Sequence, residues 1–159
     1  MVSILGQYCI NVTDLDRSIE FWRDTVGISL VSRTEIPNAK EAILQSPHGG
    51  SRLQLAQHDD QDGPIEMGTA LWKLYVNTDD CVALHDRAVA AGCESVMAPT
   101  KLERWPVTMA YVKDLDGYLI EFVEPHEGTP AGVTDPKRVA QKGSSAQTSS
   151  SPTASGATP

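Results

Sequence analysis

The chain has 159 residues, of which 40% are hydrophobic and 21% charged, and its formal net charge at pH 7 is −8. This composition is that of one soluble globular domain, and its acidic balance excludes nucleic acid as an expected partner, because nucleic-acid binding needs clustered Lys and Arg to neutralise phosphates. No run approaches the ~18 consecutive apolar residues of a membrane span, so no membrane association is expected either.

The first half of the chain predicts a strand, a helix and three further strands. Residues 7–11 alternate in polarity as a strand does. A helix follows, with Asp14 at or near its N-cap and Gly27 after its end, and apolar residues spaced near 3.6 at Leu15, Ile19, Trp22 and Val26. The later strand signals are "ISLVSRTEI", "KEAILQS" and "RLQLAQ".

Residues 58–68, "HDDQDGPIEMG", join the two halves. The cluster of aspartates has some likeness to a calcium-binding loop, but it lacks the glutamate that an EF-hand loop requires. We interpret this segment as a solvated linker.

The second half repeats the order of the first. Its first strand, "KLYVN", leads to a helix that is opened by Asp79 or Asp80 and closed by Gly92, with inward positions at Cys81, Leu84, Ala88 and Ala91. The following strands are "CESVMAP", "VTMAYVKD" and "YLIEFVE". The sequence therefore predicts two βαβββ modules, at about residues 4–58 and 68–125, in a domain that spans residues 1–126.

Residues 127–159 are rich in Ser, Thr, Pro, Gly and Ala and have little to bury, so we predict a disordered tail. The tail holds three basic and two acidic residues. The folded part is therefore more acidic than the whole chain, which favours a small-molecule or protein partner.

Three cysteines, at positions 9, 81 and 93, show no CxxC spacing. This pattern predicts neither a disulfide framework nor a zinc site, and we expect free, buried thiols in a cytoplasmic protein.

Strand parity divides the predicted sheet into two faces. One face, which includes Tyr8, Ile10 and Leu55, is apolar and should be covered by the helices. The opposite face carries the polar side chains of Gln7, Asn11, Gln54, Lys73 and Glu121. A sheet face open to water would also be polar, but the repeat makes Gln7 equivalent to Lys73 and Gln54 equivalent to Glu121, which favours a shared site.

These features resemble the vicinal oxygen chelate superfamily, which includes glyoxalase I, the bleomycin and fosfomycin resistance proteins, methylmalonyl-CoA epimerase and extradiol dioxygenases. The resemblance rests on "QYCINVTDLDRSIEFWRDTVG", "SRLQLA", "LWKLYVNTDD" and "VKDLDGYLIEF" and covers roughly residues 4–125. It implies an α+β fold in which the modules form a curved, cup-shaped mixed sheet with the helices on its outer face. It also implies a homodimer.

In the glyoxalase I branch of that family, four strands supply a metal site. Carried over by motif, its ligand positions fall on Gln7, Gln54, Lys73 and Glu121, of which only Gln7 and Glu121 match the family's residue types. A protonated lysine has no lone pair for a metal. At ~4 Å and an effective dielectric near 20, its charge would repel a divalent ion by about 8 kcal/mol.

We therefore predict that Lys73 and Glu121 form an ion pair, flanked by the amides of Gln7 and Gln54, in the place of a metal. The alternative is that Lys73 deprotonates or moves aside, so that Gln7, Gln54 and Glu121 bind Ni, Zn, Mn or Fe. A strand shifted by two residues would put Leu71 at the position of Lys73, and Leu71 is no ligand either.

The resemblance favours a small-molecule enzyme of the glyoxalase (lactoylglutathione lyase-like) type. Glu121 would act as the base, and Lys73 would stabilise the oxyanion. Extradiol cleavage is disfavoured, because its iron needs two His ligands that are missing here. The alternative function is non-catalytic binding or sequestration of a small molecule, as in bleomycin resistance proteins.

Substrate contacts are predicted for Gln7, Gln54 and Asn11 on the polar face, and for Tyr75, Arg104 and Trp105 around it. Arg104 and Trp105 precede Pro106 in a loop, where they could hold an anionic group. Further aromatic candidates for the wall are Trp72, Tyr111 and Tyr118, for which packing in the core or at an edge is the competing interpretation.

Overall fold

The structure of the chain is a computed structural model that describes residues 2–3, 6–129 and 134–139. In chain order the elements are β1 (Gln7–Asn11), α1 (Leu15–Glu20), a π-helical segment (Phe21–Val26), β2 (Ser29–Ile36), β3 (Ala39–Gln45), β4 (Arg52–His58), β5 (Leu74–Asn77), α2 (Cys81–Ala90), β6 (Glu94–Lys101), β7 (Val107–Lys113) and β8 (Leu119–Pro125). The α+β class and the two βαβββ modules are confirmed.

Each module forms its own four-stranded mixed sheet, and the strands do not close into a barrel. The strand orders are β1-β4-β3-β2 and β5-β8-β7-β6, so the same topology occurs twice. In each sheet the first and last strands pair in parallel and the remaining pairs are antiparallel. Both β1 and β5 are therefore edge strands.

The first helix starts as predicted but changes its winding. The Asp14 side chain accepts a hydrogen bond from the backbone N–H of Arg17 at 3.0 Å, which makes Asp14 the N-cap. After Glu20 the helix widens to a π-helix. This change lets adjacent Phe21 and Trp22 both enter the core, where their rings meet edge to face with centroids 5.6 Å apart.

The second helix is capped by Asp80, whose side chain accepts from the Ala83 N–H at 2.9 Å, and this settles the choice between Asp79 and Asp80. Its inward positions bury Cys81, Leu84 and Ala88. The hydrophobic core lies between the helices and the apolar sheet faces, and its largest fully buried side chains include Phe122, Ile19, Leu44, Leu55 and Ile120.

The two modules are joined where α1 begins and where β7 turns into β8. The buried carboxylate of Asp116 accepts hydrogen bonds from Thr13 Oγ1 and from Arg17 Nη2, the latter at 3.1 Å. The Tyr118 hydroxyl donates to the carbonyl oxygen of Asn11 at 2.8 Å. These contacts fix the orientation of one sheet relative to the other.

Three burial predictions were wrong. Ala91 was given as an inward position of the second helix but is exposed, because α2 ends just before it. The other two residues lie on β1. Tyr8 was assigned to the covered apolar face but is exposed, and Cys9 was expected to be a buried thiol but is exposed as well. The physical reason is that β1 is an edge strand, so its outer side lacks a neighbouring strand. Cys81 and Cys93 are free and buried, as predicted.

The predicted tail lies largely outside the described residues. Its described part includes a helical turn at residues 136–139, which the prediction of disorder did not anticipate. Near this turn Lys137 Nζ lies 4.0 Å from Glu124 Oε1. In the part of the chain that the structure describes, no helix combines the length and the hydrophobicity needed to cross a bilayer.

Candidate functional site

The site is centred on a buried ion pair in the second sheet. Lys73 immediately precedes β5, and Glu121 is the third residue of β8. Lys73 Nζ lies 2.5 Å from Glu121 Oε2, and each side chain is only 7% exposed. The predicted pairing of these two residues is confirmed.

Three aromatic rings enclose the ammonium of Lys73. Its Nζ lies 4.1 Å from the ring centroid of Trp72, 4.7 Å from that of Tyr75 and 5.3 Å from that of Tyr111. It also donates a hydrogen bond to the Tyr111 hydroxyl at 3.2 Å. Trp72 and Tyr75 shield the cation from water. These two residues are themselves 77% and 61% exposed, so they remain available to a ligand.

The electrostatics of the pair keep the lysine charged. Burial alone would lower the pKa of Lys73, but contacts of the ammonium with Glu121, Tyr75 and Tyr111, together with the negative charge of Glu121, raise it above its ordinary value. Burial and the charge of Glu121 likewise raise the pKa of Tyr111, against the opposing effect of Lys73. At neutral pH the site therefore contains an ammonium and a phenol that keeps its proton.

The carboxylate of Glu121 is buried against the ammonium. Its Oε2 is fully buried, and Lys73 Nζ lies 2.5 Å from it. Burying a carboxylate oxygen is costly, and the neighbouring positive charge offsets that cost.

The equivalent position in the first sheet holds a pair of amides. Gln7 Nε2 donates to Gln54 Oε1 at 2.9 Å. Gln54 lies opposite Cys9 in the β1–β4 register, just as Glu121 lies opposite Tyr75 in the β5–β8 register. The two pairs therefore occupy the same diagonal positions of the repeat.

No hydrogen bond or salt bridge between described residues joins the amide pair to the ion pair. The expectation that Gln7 and Gln54 flank Lys73 and Glu121 is thus not met by direct contact. The reason is that the modules form two separate sheets instead of one continuous floor.

A cavity of about 850 Å³ lies between the edge strands β1 and β5. Of the predicted site residues, Lys73 and Tyr75 line it. Those that do not line it are Gln7, Asn11, Gln54, Arg104, Trp105 and Glu121. Arg104 and Trp105 are exposed in the turn between β6 and β7, and Asn11 contributes its carbonyl oxygen to the module junction.

Sequence reasoning did not identify the role of two aromatic residues beside the ion pair. Trp72 and Tyr111 were candidates for the pocket wall, but their contact with the Lys73 ammonium was not foreseen. The signal for Tyr111 was its place opposite Glu121 in the β7–β8 register, which required the pairing of those strands to be known. Tyr118, another wall candidate, is instead buried in the core.

The donor set does not fit a metal ion. In the second sheet, the family's ligand positions place the Lys73 ammonium against the Glu121 carboxylate. In the first sheet, the amides of Gln7 and Gln54 form a hydrogen bond with each other. Within the described residues no group of three or more His, Cys, Asp or Glu side chains is placed to hold a metal. Lysine supplies no lone pair while it remains protonated.

Known proteins resemble this chain in sequence and in fold. A lactoylglutathione lyase from Haemophilus influenzae is 29% identical over 128 residues, which cover 78% of this chain and 93% of that protein. A probable lactoylglutathione lyase from Vibrio cholerae is 30% identical over 119 residues, which cover 72% of this chain and 86% of that protein.

Among solved structures, glyoxalase I from Zea mays has a TM-score of 0.66 at 21% identity, and the match covers 75% of this chain but only 43% of that longer one. A glyoxalase family protein from Bacillus cereus has a TM-score of 0.68 at 18% identity, with 77% of this chain and 94% of the other covered. The family model for the Glyoxalase/Bleomycin resistance protein/Dioxygenase superfamily matches residues 4–122. The chain belongs to this superfamily, as the two βαβββ modules indicated.

Proposed function

We propose that the protein is a small-molecule enzyme of the glyoxalase, lactoylglutathione lyase-like type, in which the Lys73–Glu121 pair replaces a resident metal. The observation that carries the proposal is the 2.5 Å contact between the buried ammonium of Lys73 and the buried carboxylate of Glu121. The resemblance places both residues at ligand positions of the family, and only Glu121 matches the family's residue type. Relatives named lactoylglutathione lyase support the reaction class.

The chemistry is proton transfer beside a carbonyl. Glu121 takes the proton from the hydroxyl-bearing carbon next to the carbonyl group, and the electron pair moves to the carbonyl oxygen to form an enediolate. The Lys73 ammonium and the Tyr111 hydroxyl donate to the developing oxyanion. Glu121 then delivers the proton to the former carbonyl carbon, while the hydroxyl proton of the hemithioacetal passes to the former carbonyl oxygen. The product is a 2-hydroxy thioester, so the reaction is a redox-neutral isomerisation. Because Lys73 Nζ already contacts the carboxylate of Glu121, the substrate has to compete with the ammonium for it, which predicts slow turnover.

The test is turnover of the hemithioacetal of methylglyoxal and a thiol by protein treated with a chelator. We expect measurable activity that added Ni, Zn, Mn or Fe does not raise, and that Glu121→Gln abolishes. An activity that is lost with the chelator and restored by one of these metals would contradict the metal-free site. In that case Gln7, Gln54 and Glu121 would be the ligands.

A second candidate function is non-catalytic binding of a small molecule, as a drug-sequestering member of the superfamily would perform. This function is supported by the three rings that enclose Lys73. An enclosed ammonium has less freedom to move toward the oxygen of a reacting substrate. Screening ligands by thermal shift distinguishes the two functions. A large shift without turnover favours binding, whereas turnover favours the lyase.

We further propose that the protein works in the cytoplasm as a homodimer. The superfamily resemblance supports pairing. Sedimentation velocity at micromolar concentration tests the dimer. A concentration-independent monomer would refute it.

A further inference from the structure

The cavity between β1 and β5 has the size and lining of a binding site for a small molecule. Its volume of about 850 Å³ falls in the range of about 300–1,000 Å³ that is usual for ligand pockets. The cavity reaches from the surface to the buried ring of Trp22. Its apolar walls include Ile10, Trp22, Ile28, Leu53, Leu74 and Val76.

The charges around this cavity oppose those of the chain as a whole. The protein carries a net charge of −8, yet the described residues that line the cavity include Arg52 and Lys73 and neither Asp nor Glu. Since Glu121 offsets the charge of Lys73, the uncompensated charge at the cavity is the positive charge of Arg52. The cavity is therefore matched to a negatively charged ligand.

Arg52 is the cation that remains available in the cavity. The Lys73 ammonium is already paired with Glu121. Arg52 uses its Nε to donate to Gln45 Oε1 at 3.2 Å, and no salt bridge in the described residues engages its guanidinium. The planar guanidinium can bind a carboxylate through two parallel hydrogen bonds.

We propose that this cavity binds a small amphiphilic anion. The carboxylate of the ligand pairs with Arg52 at the mouth, and its apolar chain packs between the edge strands against Trp22 and Ile28. Pro136 and Val139 from the described part of the tail complete the wall. The cavity shares Lys73 with the proposed reaction, but its anchor is Arg52, which that reaction does not use, so an Arg52 variant tests the binding site independently of turnover.

The experiment is calorimetric titration of the full chain with decanoate, decanol and decylammonium, each below its micellar concentration. We expect decanoate to bind most tightly, decanol more weakly and decylammonium weakest. Arg52→Gln should weaken decanoate binding at least tenfold and leave decanol unchanged, because only the carboxylate loses a charge-assisted hydrogen bond. Arg23→Gln, which changes an exposed arginine outside the cavity, is the matched control and should bind like the wild type.

A second variant tests the charge of the mouth without touching the core. Leu71 lines the cavity and is exposed, so Leu71→Glu should fold normally, weaken decanoate at least tenfold and improve the binding of decylammonium. Equal affinity for all three compounds, or no effect of either variant on decanoate, overturns the proposal. Absence of decanoate binding overturns it as well, whatever the oligomeric state.

Discussion

The ion pair predicts a specific pattern of stability in a double-mutant cycle of Lys73→Met and Glu121→Gln. At 2.5 Å and an effective dielectric near 20, two unit charges attract by about 7 kcal/mol before the cost of desolvation is subtracted. Either single substitution leaves the other side chain buried without its partner. We therefore expect each single variant to lose about 3–5 kcal/mol of unfolding free energy.

The double variant should lose much less than the sum of the single variants, because neither charge then remains buried. We expect a coupling free energy of at least about 2 kcal/mol. Urea denaturation followed by tryptophan fluorescence measures all four proteins. The matched control is Lys113→Met with Glu94→Gln, an exposed pair at 3.2 Å for which the coupling should stay below about 1 kcal/mol. Coupling at Lys73–Glu121 no greater than in this control would refute the buried pair.

Other features give independent predictions. Burial raises the pKa of Asp114 from its ordinary value of 3.8 to about 6. Between these two pH values the folded state holds a proton that the unfolded state has lost, so the free energy of unfolding falls by about 3 kcal/mol as pH rises through that window. Relative to the wild type, Asp114→Asn should therefore gain unfolding free energy from about pH 4 to pH 7, measured by urea titration at each pH; a constant difference would contradict this. Asp80→Ala removes the N-cap of α2 and should cost about 1 kcal/mol in the same assay, whereas Asp79→Ala should cost almost nothing. Trp72→Ala removes the ring nearest to the Lys73 ammonium, so it should lower the free energy of unfolding by about 0.5–2 kcal/mol in the same urea assay. The tryptophan fluorescence of this variant should also be quenched less than that of the wild type when a ligand binds. Unchanged stability would show that the ring is only a surface side chain.

Most of the features that place Lys73 and Glu121 beside each other could be predicted from the sequence. Strand parity put Lys73 and Glu121 on one face, and the repeat made them equivalent to Gln7 and Gln54, as the diagonal contacts in both sheets show. These inferences work because the side-chain period of a strand depends only on the local chain.

What the sequence did not predict depends on contacts between distant segments. The separation of the two sheets keeps the amide pair away from the ion pair, and no local pattern reports how two modules dock. The exposure of Cys9 follows from the place of β1 at an edge, which is a property of strand order. The π-helical turn that buries both Phe21 and Trp22 required their tertiary packing to be known.

The claim that an ammonium stands where relatives of this type would hold a metal is tested most directly by the metal content of the purified protein. Elemental analysis before and after incubation with Ni, Zn, Mn and Fe, followed by dialysis, should find well below one equivalent of any of them in the wild type. Lys73→His, which restores a lone pair at this position, should raise metal retention. One equivalent of metal retained by the wild type and lost in Glu121→Gln would contradict the account.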